Sequence, residues 1–189
     1  MPLSASCLWA DIDEVKAWLK MATTEDQFDG PLTQIAESVT QDLERATGRV
    51  FVARAIADVI DGDGSSRVWL TYFPAATLTL TVAGTALTVT TDYVLDAANG
   101  LVRRVGGYLF PRGVANVSAA YTAGWARALL PASITMLGQE MVSLRFEEWR
   151  ASVIAATSIN LGPANMVIKP GWPYQILEKM NQLRREGRP

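Results

Sequence analysis

The side chains of this sequence that could do chemistry are carboxylates. The 189-residue chain contains no histidine, which removes Ser-His and Cys-His pairs, histidine zinc ligands and the commonest general base. Asp61-Gly-Asp-Gly64 resembles part of a calcium loop, but the twelfth position from Asp61 is Tyr72 and not the glutamate that such a loop requires. We therefore interpret residues 61–64 as a hairpin turn and expect no metal site.

A second group of carboxylates lies in a helical stretch that also carries arginines. Glu140, Glu147 and Glu148 stand close to Arg145 and Arg150, which is the pattern of a charged helix face with local ion pairs. Paired carboxylates act as acid and base only where burial separates their pKa values. We interpret this group as an outer helix face, and we expect a protein that is not an enzyme and has no cofactor.

Two kinds of residue remain as candidates for contacts with a partner. The basic clusters are Arg103-Arg104 and a C-terminal group formed by Arg184, Arg185 and Arg188. Cations also favour the C-terminus of a helix, so a capping role for the terminal group stays open beside a contact role. Three tryptophans flank turns or helix ends: Trp125, Trp149 and Trp172. A tryptophan at such a position is equally consistent with a place at the edge of the core and with a place in a protein interface.

The composition excludes several broad classes. The formal charge of −2 gives no general attraction for nucleic acid. The single cysteine, Cys7, cannot form an internal disulfide and fits a reducing compartment. No apolar run approaches the roughly 20 residues that cross a bilayer. We expect a soluble protein that is made in the cytosol.

Helical periodicity marks both ends of the sequence. Asp11 is the predicted N-cap of a first helix, whose apolar stripe includes Trp18, and a second helix ends at Gly48. A third helix is predicted from Pro131 to Ala151, with inward positions Ile134, Leu137, Met141, Leu144 and Ala151. After an aperiodic loop over residues 155–172, a last helix begins at Pro173, and its apolar positions are Ile176, Leu177, Met180 and Leu183.

The middle of the sequence has the period of strands. Leu78–Val82 and Leu87–Val89 alternate apolar residues with threonine around Gly84, and Asn99-Gly100 is a strong hairpin signal between Tyr93–Leu95 and Leu101–Arg104. Val117, Ala119 and Tyr121 alternate in a last strand that Thr122-Ala-Gly124 ends. This strand closes the β region before the third helix.

These elements predict an α+β fold in one structural domain with a lobe. A four-helix body has two N-terminal helices, in residues 1–48, and two C-terminal helices, in residues 126–189. An antiparallel β lobe, residues 49–125, is inserted between the two helical halves.

The serial order of these signals resembles the head–tail connector (adaptor) proteins of tailed bacteriophages and of gene transfer agents. The resemblance spans about residues 8–145, and its most specific element is Tyr121-Thr-Ala-Gly124 followed by Pro131. The other elements, in order, are Val15-Lys-Ala-Trp-Leu19, Leu43-Glu-Arg-Ala-Thr-Gly-Arg-Val-Phe51, Asp61-Gly-Asp-Gly64 before Pro74, Asp92-Tyr-Val94, Pro111-Arg-Gly113 and Asn116-Val117.

The resemblance implies a structural role in the virion, at the head–tail junction, for a protein made in a bacterial host cytoplasm. Such adaptors form a ring, usually of twelve subunits, beneath the portal protein. The ring extends the DNA channel and offers a platform to a downstream stopper or tail protein. DNA passes through the channel without sequence-specific binding, and no membrane is involved.

The resemblance leads to two hypotheses about contact residues. The last helix and its flanks would bind the portal, through Trp172, Tyr174, Ile176, Leu177, Met180, Arg184, Arg185 and Arg188. The helical body would contact neighbouring copies in the ring, at an interface that includes Trp125, Arg145 and Trp149. Two alternatives remain open at this point: a stopper or tail-completion protein of the same connector, and a stand-alone module whose β lobe binds a ligand.

Overall fold

The computed structural model describes residues 2–155 and 172–184, with the backbone alone for residues 152–155. The described chain forms the α-helices α1 (Ile12–Trp18), α2 (Asp29–Thr47), α3 (Ala132–Ala155) and α4 (Tyr174–Leu183), with 3-10 turns at Asp26–Phe28 and Arg127–Leu129. Its strands are β1 (Arg54–Gly62), β2 (Arg67–Trp69), β3 (Ala75–Val82), β4 (Thr85–Leu87), β5 (Tyr93–Asp96), β6 (Leu101–Arg104) and β7 (Gly113–Ala123). The α+β prediction is confirmed.

Contacts divide the chain into two compact units. Met1–Thr47 and Leu130–Pro189 form one, called here the helical unit, and Gly48–Leu129 form the other, called the β lobe. Within the helical unit, α2 packs against α1, α3 and α4. The predicted loop over residues 155–172 lies outside the described residues, apart from its two ends.

The helix ends follow from local capping chemistry. The Asp11 carboxylate accepts a hydrogen bond from the Asp13 N–H at 3.2 Å and so caps α1 as predicted. Gly48, with φ of +66°, follows the last residue of α2 in the left-handed conformation that a helix C-cap uses. Pro173 occupies the N-cap position of α4, so the predicted start of this helix is confirmed.

A lysine of α1 is buried inside the helical unit, although the sequence pattern predicted that only apolar residues of this helix would be buried. The Lys16 side chain is only 1% exposed, and its ammonium lies 2.6 Å from Oδ1 of Asp29 and 3.7 Å from Oδ1 of Asp26. It also donates to the carbonyl oxygen of Thr23 at 3.0 Å. The hydrogen bond with Asp29 raises the pKa of Lys16. Lys16 thereby ties the end of α1 to the start of α2.

The N-terminal segment is fixed to α2 through a threonine. The Thr40 hydroxyl donates to the carbonyl oxygen of Ala36 at 3.0 Å and accepts the Leu8 N–H at 3.3 Å. The thiol of Cys7 is buried and lies 3.5 Å from the same hydroxyl oxygen. Polar groups that lose water in this core therefore regain partners.

The β lobe contains two antiparallel sheets. The four-stranded sheet has the order β1-β7-β3-β4, and the three-stranded sheet has the order β2-β6-β5. Leu80 pairs with Leu87 and Val94 with Arg103, so both predicted hairpins are confirmed. Alternation predicts that Val117, Ala119 and Tyr121 of β7 point inward, and all three are buried in one core with β2, β3, β5 and β6. The strand continues to Ala123, which is also buried, although the sequence pattern ended it earlier.

Three predictions about side-chain direction are wrong. Leu144 is 38% exposed and Ala151 is exposed, although both were expected to point inward from the third helix. Val142 and Phe146 are buried instead. A strict seven-residue repeat drifts by about 20° per heptad around a straight α-helix, so the series Leu137, Leu144, Ala151 leaves the buried face. Trp18 is 43% exposed, and its indole N–H donates to the Ser143 hydroxyl at 3.0 Å.

Candidate interaction surfaces

The predicted turn at residues 61–64 has its carboxylates engaged in backbone hydrogen bonds. Oδ1 of Asp61 accepts the Ala115 N–H at 2.6 Å, and Oδ1 of Asp63 accepts the Ser65 N–H at 2.8 Å. The bonds from Ser65 lower the pKa of Asp63. The bond to Asp63 shapes the connection between β1 and β2, and the bond to Asp61 joins β1 to β7. The hairpin interpretation is wrong, because β1 pairs with β7 and β2 pairs with β6, so this connection joins strands of two different sheets. Among residues 2–155 and 172–184, no cluster of three or more metal-binding side chains occurs.

Helix α4 divides the residues predicted to bind the portal into two sets. Ile176 and Met180 are buried at 3% and 5% exposure, so they hold the helix in its own unit. Tyr174 is 77% exposed and Leu177 is 44% exposed, and both lie on the outward side. The two buried side chains cannot meet a partner while α4 keeps this position, whereas the two exposed ones can.

An ion pair also fixes α4 to α3. The Lys179 ammonium lies 2.7 Å from Oε1 and 2.6 Å from Oε2 of Glu140. A cleft of about 390 Å³ opens beside this pair, and its apolar walls include Met136 and Leu183. Sequence reasoning placed Glu140 on an outer helix face with local ion pairs, and the structure shows that its partner comes from the last helix.

Arg145 and Trp172 were predicted to belong to different interfaces, and the structure brings them together. The Arg145 guanidinium lies 4.2 Å from the centre of the Trp172 ring, a cation–π distance. The same guanidinium donates to Oε2 of Glu148 at 3.1 Å. Arg145 is thus held by two partners of its own chain while 40% of its side chain stays exposed.

An aromatic cluster supports this region. Trp149 stacks on Phe146 with centroids 5.8 Å apart, and Phe28 meets both rings edge to face at 6.3 Å and 5.7 Å. Trp149 and Arg145 line one side of a cleft of about 350 Å³ whose other side comes from α2. The residues from α2 are Pro31, Gln34, Ile35 and Ser38. Two of the three residues predicted for the ring interface therefore share one cleft.

The remaining predicted contact residues lie elsewhere. Trp125 belongs to the β lobe, where its ring stacks on Phe51 at 6.5 Å and its backbone N–H donates to the Phe51 carbonyl oxygen at 2.8 Å. Arg184 is exposed at the end of α4. Arg185 and Arg188 lie outside the described residues.

Sequence reasoning missed an arginine pair on the three-stranded sheet. Arg67 of β2 is the direct cross-strand partner of Arg103 of β6, and both residues are exposed. The sequence from 48 to 129 has arginine as its only cationic residue and aspartate as its only anionic one, which signals an excess of arginine but not which arginines lie opposite each other.

Comparison with solved structures finds this fold in chains of gene transfer agent particles. A chain in the neck of an empty gene transfer agent (GTA) particle, computed with C6 symmetry, aligns with 100% of this chain and 98% of its own, at a TM-score of 0.64 and 18% identity. The chain has the fold of that neck component.

Two related structures extend the likeness. A chain in the virion of a native GTA particle gives a TM-score of 0.64 and 16% identity over 99% of this chain and 94% of its own. A chain in the neck of the native GTA particle, computed with C12 symmetry, has a TM-score of 0.62 and 17% identity. The alignment covers 100% of this chain and 97% of that chain. No protein-family model and no curated protein matches the sequence. Within the described residues, no helix is long and apolar enough to span a membrane.

Proposed function

We propose that this chain is a structural protein of the neck of a phage-like particle, where it acts as a head–tail adaptor. A ring of copies would lie beneath the portal, continue the DNA channel and join the head to the tail. The observation that carries this proposal is the likeness to chains of GTA necks along essentially the whole length of both chains. The C6 and C12 symmetry of those necks is what a ring of identical copies requires.

The portal would bind the outward side of α4. Tyr174 and Leu177 supply exposed aromatic and aliphatic surface, and Arg184 adds a cation at the end of the helix. A helix that presents an apolar stripe to a groove is a common mode of protein recognition. Trp172 stands at the start of this surface, and Arg185 and Arg188 continue it in sequence. Ile176 and Met180 would support the surface from beneath.

Neighbouring copies would meet at the cleft that Arg145 and Trp149 line, and Trp125 would contribute from the β lobe. Arginine and tryptophan are enriched in protein interfaces, and partly exposed aromatic rings provide contact area at low entropic cost. The net charge of −2 suits a channel wall along which DNA must slide rather than bind. This role needs no catalytic group.

The test is the native mass of the purified chain, alone and mixed with its candidate portal protein. We expect the portal to gain a near-stoichiometric ring of this chain. The double variant Tyr174→Ala/Leu177→Ala should lose this mass gain while its melting temperature stays close to that of the wild type. A wild-type chain that ignores the portal but joins a preformed portal–adaptor complex would be a stopper or tail-completion protein, and the adaptor proposal would be overturned.

A further inference from the structure

The β lobe is rich in arginine and lacks lysine and glutamate. Residues 48–129 include seven arginines and five aspartates but no lysine, glutamate or glutamine, which gives a net charge of +2. Protein interfaces are enriched in arginine and aromatic residues and depleted in lysine and glutamate. The sequence of the helical unit has ten basic and fourteen acidic residues, a net charge of −4. One chain therefore carries two units of opposite charge.

Two of the seven arginines of the lobe lie directly opposite each other in the three-stranded sheet. Arg67, Arg103 and Val94 are cross-strand neighbours on β2, β6 and β5, all are exposed, and Val94 is 50% exposed. These three residues are called here the arginine face. Like charges directly opposite each other on antiparallel strands are destabilising, so a pair of arginines in this register costs the isolated lobe stability.

Neither guanidinium of the arginine face has an ion-pair partner among the described residues. Hydrogen bonds from Asn99 are the main cause that lowers the pKa of Asp96, and the charge of Arg103 adds to this without forming an ion pair. The next residue along β6 differs, because the Arg104 guanidinium lies over the rings of Tyr108 and Phe110 at 5.5 Å and 5.8 Å. The Arg104 guanidinium therefore makes contacts inside the lobe, whereas Arg67 and Arg103 are exposed.

We infer that the arginine face binds the acidic helical unit of a second copy of this chain. This inference rests on the ring in the proposed function, because a cyclic ring joins two different surfaces of the same chain head to tail. Opposite net charges on the two units make such a contact complementary. Arginine suits it, because a guanidinium binds a carboxylate through two parallel hydrogen bonds and keeps its charge at any working pH.

Duplex DNA fits the arginine face less well than a protein carboxylate surface. Binding of DNA depends on many neutralised phosphates, whereas this face offers two arginines beside an apolar valine. The acidic helical unit of the same chain would also repel a polyanion. Val94 adds apolar contact area, which a carboxylate-bearing protein surface can match and a phosphate backbone cannot.

The test is sedimentation velocity of the full chain over a concentration series at low and at high salt, without the portal. We expect wild-type self-association at low salt that weakens as salt screens the contact. Arg67→Glu/Arg103→Glu should weaken it by more than tenfold. The matched control, Lys20→Glu/Arg45→Glu, makes the same charge change at exposed sites of the helical unit that do not line the cleft of Arg145 and Trp149. The control should associate at least as strongly as the wild type, because its helical unit becomes more acidic.

Each other result overturns the inference. The outcomes that do so are a wild-type chain that stays monomeric at every concentration, equal losses in both double variants, and unchanged association in Arg67→Glu/Arg103→Glu. Binding of a fluorescently labelled DNA duplex of generic sequence is measured in addition. Duplex binding that disappears in Arg67→Glu/Arg103→Glu while self-association persists would assign the face to phosphate. Because the portal is absent from this experiment, a failure of the arginine-face contact is distinguished from a failure of portal binding.

Discussion

The phenol oxygen of Tyr121 lies 2.7 Å from Oδ2 of Asp58 and joins β7 to β1 through their side chains. The same phenol oxygen accepts the Tyr72 N–H at 3.0 Å, and the same carboxylate oxygen accepts the Thr71 N–H at 2.8 Å. One short network thus fastens the segment between β2 and β3 to the four-stranded sheet. Loss of this network would weaken the hydrogen bonds of the Thr71 and Tyr72 N–H groups.

Tyr121→Phe should lower the free energy of unfolding by about 1 kcal/mol, because it removes one partner from a partly buried hydrogen-bond network. Urea denaturation followed by far-UV circular dichroism measures this change. The control is Tyr108→Phe, because Tyr108 is 63% exposed and the loss of its hydroxyl should leave stability within error. Equal effects of both substitutions would contradict the role given to the network.

The same tyrosine predicts how stability depends on alkaline pH. Burial, followed by the hydrogen bond to Asp58, raises the pKa of Tyr121, whereas an unfolded chain releases this proton near pH 10. The folded state therefore binds the proton more tightly, and this contribution is complete below about pH 10 and declines as pH rises further. Unfolding free energies measured from pH 8 to 11 should show the gap between wild type and Tyr121→Phe narrowing above about pH 10. A constant gap would contradict the assigned pKa direction.

Gly124 is expected to tolerate no side chain. Its φ is +95°, and an added Cβ would lie 2.9 Å from the Phe51 carbonyl oxygen and 3.0 Å from the Ala53 nitrogen. Gly124→Ala should cost at least about 2 kcal/mol, because left-handed strain adds to a clash with backbone atoms. Gly30→Ala is the matched control, since nothing lies within 4 Å of its Cβ position and no positive φ is required there. Thermal melting of the two variants distinguishes them, and a neutral Gly124→Ala would refute the argument.

The two sides of α4 should separate folding from partner binding. Ile176→Ala removes a side chain that is 3% exposed and should cost about 2–5 kcal/mol of stability. Leu177→Ala, at 44% exposure, should cost much less but reduce binding to the portal. Melting temperatures and pull-down with the portal measure the two effects. Lost portal binding in a fully folded Ile176→Ala variant would assign the contact to the buried side instead.

Local chemistry made much of the fold predictable. Gly48 ends α2 and Gly100 turns the chain between β5 and β6, because each takes a positive φ that few other residues adopt. The fixed φ of Pro173 suits the start of α4. Alternation along β7 also identified its buried face. These signals depend on a few neighbouring residues, so no knowledge of distant contacts is required.

Side-chain direction in α3 and pairing at a distance were not predictable in this way. The third helix carries apolar residues on several sides, so periodicity could not choose between Leu144 and Phe146, and only packing against other elements decides. The contacts of Arg145 with Trp172 and of Lys16 with Asp29 join residues from different elements. The opposed pair of Arg67 and Arg103 depends on strand register, which composition does not fix.

The burial of Cys7 has a practical consequence for probes of assembly. Because it is the one cysteine of the sequence and is 1% exposed, thiol reagents have no accessible native target in the folded protein. A cysteine introduced at an exposed position of either unit can therefore carry a fluorophore, a spin label or a photo-cross-linker at one defined site without removal of the native thiol. Distances between labelled copies can then be read directly in the assembled particle.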